Sequence, residues 1–437
     1  MTGLPSRLRP SVLLRALFDE AVSAVSAEAC LPRALEVSPG SGRTVLLAVG
    51  KAAAAMASIA AKRLPGPIEG LVITRRGHAG PPHILPPSIE LIEAGHPIPD
   101  DESIAAARRA LALAEGLGAR DRLIALVSGG GSALLTLPVA GVSLADKRAV
   151  TQALLNSGAT IGEINSVRKH LSAIKGGRLA VAAAPAHVTT LVISDIPGDD
   201  PSFVASGPTV TDHTTLAMAR EIVERYRIAV PASVTAALMR PENETPPSDA
   251  LGLAGGDVRV IAVARDALAA AGRLAETQGY KVTNLGDHLQ AEACHLGAGH
   301  AALARRLAAD GLARVILSGG ETTVRVTNPD GRGGRNLEYL LGLAIALDGA
   351  PRIHAIACDT DGIDGTEDNA GAMIAPDTLV RARAAGLDAR AALAENRAYD
   401  FFAALGDLVV TGPTRTNVND LRAILIEPLD GTPGSRG

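Results

Sequence analysis

An α/β protein of two Rossmann-like domains, with mostly parallel sheets and a cleft between the domains, is the fold class this sequence predicts. Three observations predict it. Short apolar, β-branched runs alternate with Ala- and Leu-rich helical stretches; a Pro- and Gly-rich segment interrupts that alternation past the middle; and strand after strand runs out into a loop dense in Gly and small polar or acidic residues. Such alternation is the signature of βαβ units.

In order along the chain, a first helix is expected around 13–30. It carries Asp19, Glu20 and Glu28, which rules out a signal-peptide core or a membrane span there. Strands follow at 44–49, 71–74, 89–93, 123–127 and 188–193. The segment 241–256, PENETPP followed by SDALGLAGGD, reads as a linker between a first domain at 1–240 and a second at 257–437. The second domain repeats the alternation, with strands at 258–263, 281–284, 315–317, 353–357 and 408–410. A chain of 437 residues is long enough for two full cores.

Composition narrows the function classes. Aromatic residues make up 2% of the chain and Trp is absent, so the cores are packed with Ala, Val, Leu and Ile. The net charge of -4 is spread without a basic block, which argues against nucleic acid as a partner. Cys30, Cys294 and Cys358 are far apart and form no CxxC pair, so no disulfide framework or zinc site is expected, and a reducing cytoplasm fits. Only six of the 42 basic residues are Lys. Each remaining lysine gains interest, because ammonium and guanidinium are not interchangeable in a tight site.

Ligands of open α/β sheets bind outside the carboxyl ends of the strands. The loops VGKAAAAMA, LVSGGGSALL, ISDIPGDDPSFVASGPT, LSGGETT, ACDTDGIDGTEDNAG and VTGPTRTNVND are therefore where a site belongs. Ser128, Gly129, Gly130, Gly131 and Ser132 follow a strand and open a helix, where bare N–H groups and the helix dipole suit phosphate. The run lacks the GxGxxG spacing of a dinucleotide loop, since Leu134 takes the last glycine position, and GKAAAAMA is no Walker A, since Ala52 stands where Ser or Thr must reach magnesium. Lys51 lies between a strand end and a helix start, where a cation is unfavourable unless something anionic compensates it. The stretch 162–177 reads as a helix with Asn165, Arg168, Lys169 and Ser172 on one polar stripe, and Lys175 close by. Asp195, Asp199 and Asp200 gather after one strand, and Asp359, Asp361 and Asp364 after another; such clusters suit magnesium or the orientation of a hydroxyl, or else simple Asx-turn capping. In the GRGGRN run, Arg332 and Arg335 offer forked donors for carboxylate or phosphate. His78, His96, His170 and His295 make no metal-ligand pattern and read as structural.

The motifs VGKAAAAMA, GHPIPD, LVSGGGSALL, EINSVRKHLSAIKGGRLA, SDIPGDDPSFVASGPT, GRGGRNLE, DTDGIDGTEDNAGA and GPTRTNVNDL, taken together, resemble the glycerate 2-kinase family, whose members carry a MOFRL domain and an older hydroxypyruvate reductase label. The resemblance implies an enzyme that phosphorylates the C2 hydroxyl of D-glycerate with ATP and Mg2+, in a cleft between two α/β domains, as a cytoplasmic monomer or homodimer with no membrane partner. It places the family's catalytic lysine on Lys51, its strand-end aspartate on Asp195 and its arginine on Arg335. Nucleotide and phosphate contacts then fall on Ser128 to Ser132, Gly319, Gly320, Glu321 and Asn417, substrate contacts on Arg168, Lys169 and Asn336, and magnesium on Asp359, Asp361 and Asp364. Three positions depart from the family pattern: Leu337 replaces Gln, Thr211 replaces Pro, and Arg415 replaces Gly beside Asn417. The alternatives are an NAD(P)H-dependent reductase, disfavoured by the missing dinucleotide loop, and a nucleotide-binding homologue without turnover.

Overall fold

The computed structural model describes residues 8–35 and 42–429. The chain forms two compact units, one spanning Ala27–Ala262 and the other joining the residues up to Ser26 with those from Val263 onward.

The first unit is built on a six-stranded sheet. Its strands are β1 (Thr44–Val49), β2 (Ile68–Arg75), β3 (Ile89–Ala94), β4 (Arg122–Val127), β5 (His187–Ile193) and β6 (Asp257–Ala262), in the order β3-β2-β1-β4-β5-β6. Every neighbouring pair is parallel. β1 and β4 are buried along their whole length, which is why TVLLAV and RLIALV read as unbroken apolar runs rather than alternating ones. Small side chains let a helix approach closely: Ala106, Ala107, Ala110 and Ala114 of the helix Asp101–Glu115 pack into the same core as Val45, Leu47, Leu71, Ile73 and Leu123. That helix starts at a reciprocal cap, Asp100 accepting the Ser103 N–H at 3.0 Å and Ser103 Oγ accepting the Asp100 N–H at 3.1 Å. β6 lies on the far side of the expected linker yet completes this first sheet, pairing with β5. The restart of alternation at 257 is thus the last strand of the first sheet rather than the first strand of a second.

The second unit holds β7 (Lys281–Asn284), β8 (Arg314–Gly320), β9 (Ile353–Asp359), β10 (Gly371–Ile374), β11 (Leu408–Val409) and β12 (Asp420–Ile426), in the order β11-β10-β9-β12-β8-β7. Helices on an α/β sheet are as expected, but this sheet corrects the expectation of parallel pairing. Only β7 and β8 pair parallel; β12 runs against both β8 and β9, and β10 against β9 and β11. The reason lies in the connections. The helices Ala293–Ala308 and Arg335–Leu347 carry the chain from β7 to β8 and from β8 to β9, as parallel crossovers require. No helix separates β9 from β10, so that strand turns back.

The first helix expectation divides at the same boundary. Pro10–Ala24 and Ala27–Ala34 are separate helices, and Leu13, Leu14, Leu17 and Phe18 of the former are buried in the second unit against Ala264–Thr277, β9 and β12. No helix among the described residues is long and apolar enough to cross a membrane.

Candidate active site

In the first sheet the chain winds outward from β1 through β2 to β3 and then returns to β4 on the other side of β1. The carboxyl ends of β1 and β4 therefore flank the switch point, where open sheets leave a crevice. Gly50 and Lys51 leave β1, and Ser128 to Ser132 leave β4. The two loops are stitched together: the Ser128 N–H donates to Val49 O at 2.9 Å, the Lys51 N–H to Gly129 O at 2.9 Å, and the Ala52 N–H to Ser128 Oγ at 3.1 Å. Gly50 has φ +122, and a Cβ there would lie 2.2 Å from Ser128 Oγ, so the close approach requires glycine. Ser128 itself is fully buried and acts as this stitch.

Beyond the stitch, the backbone N–H groups of Gly129, Gly130, Gly131 and Ser132 find no acceptor among the described residues. Buried N–H groups are almost always paired, and Gly129 and Gly131 are buried, so four adjacent open donors mark a place for an anion. The expected helix is only one turn, Gly131–Leu134, so its dipole adds little and the amides themselves carry the argument. Facing them is a backbone held in an unfavourable region: Ala205 (φ 52), Ser206 (φ 62) and Gly207 (φ 57) are successive left-handed residues. Ser132 and Ser206 share a hydrogen bond of 2.8 Å, and Lys175 Nζ ties Ser132 O (3.0 Å) to Ala205 O (3.3 Å).

Basic side chains gather around this loop. Lys175 is fully buried, and burial, with Lys147 and Arg168 nearby, drives its pKa well below the usual value. Burial also lowers Arg168 to about 10, and its guanidinium makes no hydrogen bond or ion pair among the described residues. Lys51 and Arg75 act on two imidazoles: burial first, then these cations, bring His78 to about 4 and His96 to about 3. Lys169 departs from its expected substrate role. It forms a buried ion pair with Asp212 at 3.0 Å and sits 4.9 Å from the centre of the Phe203 ring, so it is structural. The helix expected over 162–177 ends at His170, because Ser172 Oγ takes the N–H groups of Ile174 and Lys175 and both Gly176 and Gly177 turn left-handed. Asn165 is buried and receives the Ser206 hydroxyl at 3.4 Å. Asp195 follows β5 just past an irregularity in its pairing with β6, a feature that redirects the chain. Asp200 is occupied capping the Ser202 N–H at 2.8 Å.

The second unit gathers the other expected residues. Arg335 donates from Nε to Asp420 (2.9 Å), from one terminal nitrogen to Glu321 (2.6 Å) and from the other to Asp359 (2.8 Å). Burial lowers its pKa, but Asp420, Asp359, Glu321 and Asp364 together raise it well above the usual value. Asp420 also accepts Asn336 Nδ2 at 2.8 Å and Arg422 at 2.7 Å, and Arg422 in turn donates to the carbonyls of Gly319 and Gly320 at 3.2 Å. These Gly319 and Gly320 oxygens are therefore committed within the protein. Asn417 is buried and its Oδ1 accepts the Asn419 N–H at 3.3 Å.

The three aspartates expected to hold magnesium have protein partners of their own. Asp359 is held by Arg335 and the Asp361 N–H, Asp361 by the Ile363 N–H at 2.8 Å, and Asp364 caps the helix Arg335–Leu347 through the N–H groups of Asn336 (3.1 Å) and Leu337 (3.0 Å). Among the described residues the one trio of His, Cys, Asp or Glu with ligand atoms within 4.8 Å of one another is Glu292, Cys294 and His295. Asx-turn and capping bonds thus engage each of these aspartates.

Sequence reasoning singled out neither Asp420 nor Arg422, and read His96, which lies against the Gly130 turn, as structural. The first two lie in β12, where a paired acid and base interrupt what would otherwise read as an apolar run; the GHPIPD motif was the available signal for His96. Two departures from the family pattern find a place: Leu337 is fully buried in the second core, and Arg415 has φ 61, a conformation that glycine adopts freely. Nothing in the structure explains Thr211.

Comparison with known proteins places this geometry in context. A profile described as a domain of unknown function (DUF4147) matches residues 13–239, and the MOFRL family matches residues 314–420. The chain is 52% identical over 420 residues to an Agrobacterium vitis protein whose name gives hydroxypyruvate reductase as an unproven activity, covering 95% of this chain and 94% of that one. It is 39% identical to the D-glycerate 2-kinase of Thermotoga maritima, over 87% of this chain and 89% of that one. The crystal structure of a glycerate kinase from the same organism superposes with a TM-score of 0.82 at 38% identity, covering 95% of this chain and 99% of that one. On identity, coverage and fold together, this chain belongs to the glycerate kinase family.

Proposed function

We propose that this chain is a glycerate kinase that transfers a phosphoryl group from MgATP to the C2 hydroxyl of D-glycerate. One observation carries the reading: four open backbone donors at the switch point of the first sheet, ringed by Lys51 and the unpaired Arg168, on a chain that aligns with a D-glycerate 2-kinase over most of its length. Phosphoryl transfer needs positioning and charge stabilisation more than covalent chemistry from the protein. The amides of Gly129 to Ser132 hold phosphoryl oxygens, Lys51 neutralises charge on the transferred group, and Arg168 meets the glycerate carboxylate with its planar fork. Asp195 orients the C2 hydroxyl and takes its proton. Magnesium enters as part of the nucleotide substrate, because an ion carried on phosphates needs only one or two protein carboxylates. The substrates and product are small and soluble, which fits a cytoplasmic enzyme acting as a monomer or homodimer.

The test is a product-resolved assay with D-glycerate, ATP and magnesium. Formation of 2-phosphoglycerate is expected, and the 3-phosphate alone would contradict the regiochemistry. The name carried by the 52% identical relative makes hydroxypyruvate reduction the second reading. The order of the first sheet is one that also binds dinucleotides, but the loop after β1 lacks the glycine spacing, and β2 ends on Arg75 rather than on a carboxylate for the ribose hydroxyl. Hydroxypyruvate-dependent oxidation of NADH or NADPH would reverse the preference.

A further inference from the structure

His96 stands beside the open amides and has no assigned task. A Cβ built on Gly130 would lie 3.1 Å from both Cδ2 and Nε2 of the His96 ring and 3.3 Å from Lys51 Cγ, so ring, glycine turn and lysine stem are in contact. The two ring nitrogens differ. Among the described residues neither nitrogen has a hydrogen-bond partner, but Nδ1 is fully buried whereas Nε2 is not among the fully buried orphans. After burial, the groups that act most strongly on the ring are Lys51 at the end of β1, Arg75 at the end of β2, His78 just beyond it, and Arg168 on the helix Ile161–His170. Nδ1 is buried, while Nε2 lies against the Gly130 turn, so a ring proton on Nε2 is the one that a ligand at these amides would meet.

We propose that His96 is a further ligand-contacting residue, a neutral imidazole whose Nε2–H donates to a phosphoryl oxygen held by the Gly129 to Ser132 amides. The proposal rests on the kinase reading for the identity of that phosphoryl group. A neutral donor suits the position: it adds a directed hydrogen bond where Lys51 already supplies charge, and it loses no proton during transfer. The acid–base work stays with Asp195.

The experiment uses the full chain labelled with 15N-histidine, and the His96 ring is assigned by its loss in His96→Gln. At pH 7, and still at pH 5, the ring is expected to show the nitrogen pattern of a neutral imidazole protonated at Nε2. Its Nε2–H resonance should shift on adding 2-phosphoglycerate or a non-hydrolysable ATP analogue, and the ligand that shifts it identifies which phosphoryl group it meets. A proton on Nδ1, or no response to either ligand while calorimetry shows binding, overturns the proposal. Kinetics supply the second arm. Glutamine carries an amide N–H near the Nε2 position, so His96→Gln should retain kcat within several-fold, whereas His96→Ala should lose about 10²-fold, the usual scale for one oxyanion donor. Equal losses in both variants, with normal thermal melts, would reduce His96 to a packing residue. Should His96→Gln not fold, the wild-type spectra still decide, because His96 is one of three rings, with His78 and His300, brought to about 3 or 4 and hence neutral at pH 5. If no glycerate kinase activity is found, inorganic phosphate serves as the probe, and its effect on the Nε2–H separates failure of the kinase reading from failure of the donor assignment.

Discussion

At the scale of single residues, the scarcity of lysine proves informative. Of the six lysines, Lys147, Lys169 and Lys175 are buried in the first unit, where a compact ammonium reaches the carbonyls of Arg168 and Leu171, the carboxylate of Asp212, and the carbonyls of Ser132 and Ala205 respectively. A planar fork would not fit these small acceptor sets, which explains why arginine did not replace them. Lys51 belongs to the same set: its stem packs against the Gly130 turn. Lys51→Arg is therefore expected to be nearly as damaging as Lys51→Ala, each raising the barrier by about 3–4 kcal/mol if the contact resembles one preorganised donor. Steady-state kinetics beside a thermal melt check this, and an arginine variant with most of the wild-type turnover would show that Lys51 supplies charge alone. Asp195→Asn keeps the shape but removes the base, so kcat should fall by about 10²–10⁴ with ATP affinity little changed. Near-normal turnover in that variant would move the base to another carboxylate. Lys51 was legible from its place between strand and helix. The ion pair of Lys169 was not, because its partner Asp212 is 43 residues away and helix position says nothing of such partners.

At the scale of elements, a strand was legible where β-branched or apolar residues cluster between turn signals, even with a charge in it, as in β3 (IELIEA) and β7 (KVTN). β1 and β7 match their sequence expectations in full, while β12 has no counterpart among the expected strands, because Asp420 and Arg422 interrupt its apolar run. Those two side chains are fully buried and neutralise each other two residues apart on one face of the strand, a local pairing that a hydropathy pattern reads only as an interruption. The start of the helix Arg335–Leu347 shows the converse. Its first amides are capped by Asp364, which comes 28 residues after Asn336 rather than just before the helix. Burial first, and then the charge of Asp420, raise the Asp364 pKa to about 7, against the opposing effect of the amides and Arg335. A carboxyl whose folded pKa is raised stabilises the fold fully below its unfolded value near 4 and loses that contribution as pH climbs through about 7. Asp364→Asn removes this titration. The unfolding free energy of wild type relative to the variant should therefore decline between pH 4 and pH 8, by an amount on the order of a few kcal/mol at about 1.4 kcal/mol per unit, and the difference in melting temperature should fall with it. Parallel pH curves for the two proteins would show that Asp364 is ionised in the fold throughout.

At the scale of the whole molecule, the chain does not divide where its composition suggests. The Pro- and Gly-rich stretch 241–256 has the composition of a linker, yet β6 follows it and closes the first sheet, and the second unit begins only at Val263. The second unit also recruits the helix Pro10–Ala24 from the opposite end of the chain, and Thr416 Oγ1 fastens the end of that helix by donating to Val25 O at 2.7 Å. Composition reports where a chain is exposed, not which sheet a strand joins, so this return was invisible in the sequence. It has an energetic consequence. Leu13, Leu14, Leu17 and Phe18 are 0–1% exposed, and burying each such side chain is worth about 1.5–3 kcal/mol, so together they are comparable with the 5–15 kcal/mol by which a typical domain is stable. A fragment 257–437 cut at the apparent linker lacks this helix and carries an unpaired β6, so it should melt without a cooperative transition and bind apolar dyes. A fragment of 263–437 with residues 8–26 joined to it through a flexible tether should regain a single sharp transition. Cooperative melting of 257–437 alone would show that the N-terminal helix is an ornament on a self-sufficient unit. Recovery with the tethered helix, lost again on Leu17→Asp, would establish that the second unit folds only once both ends of the chain have met.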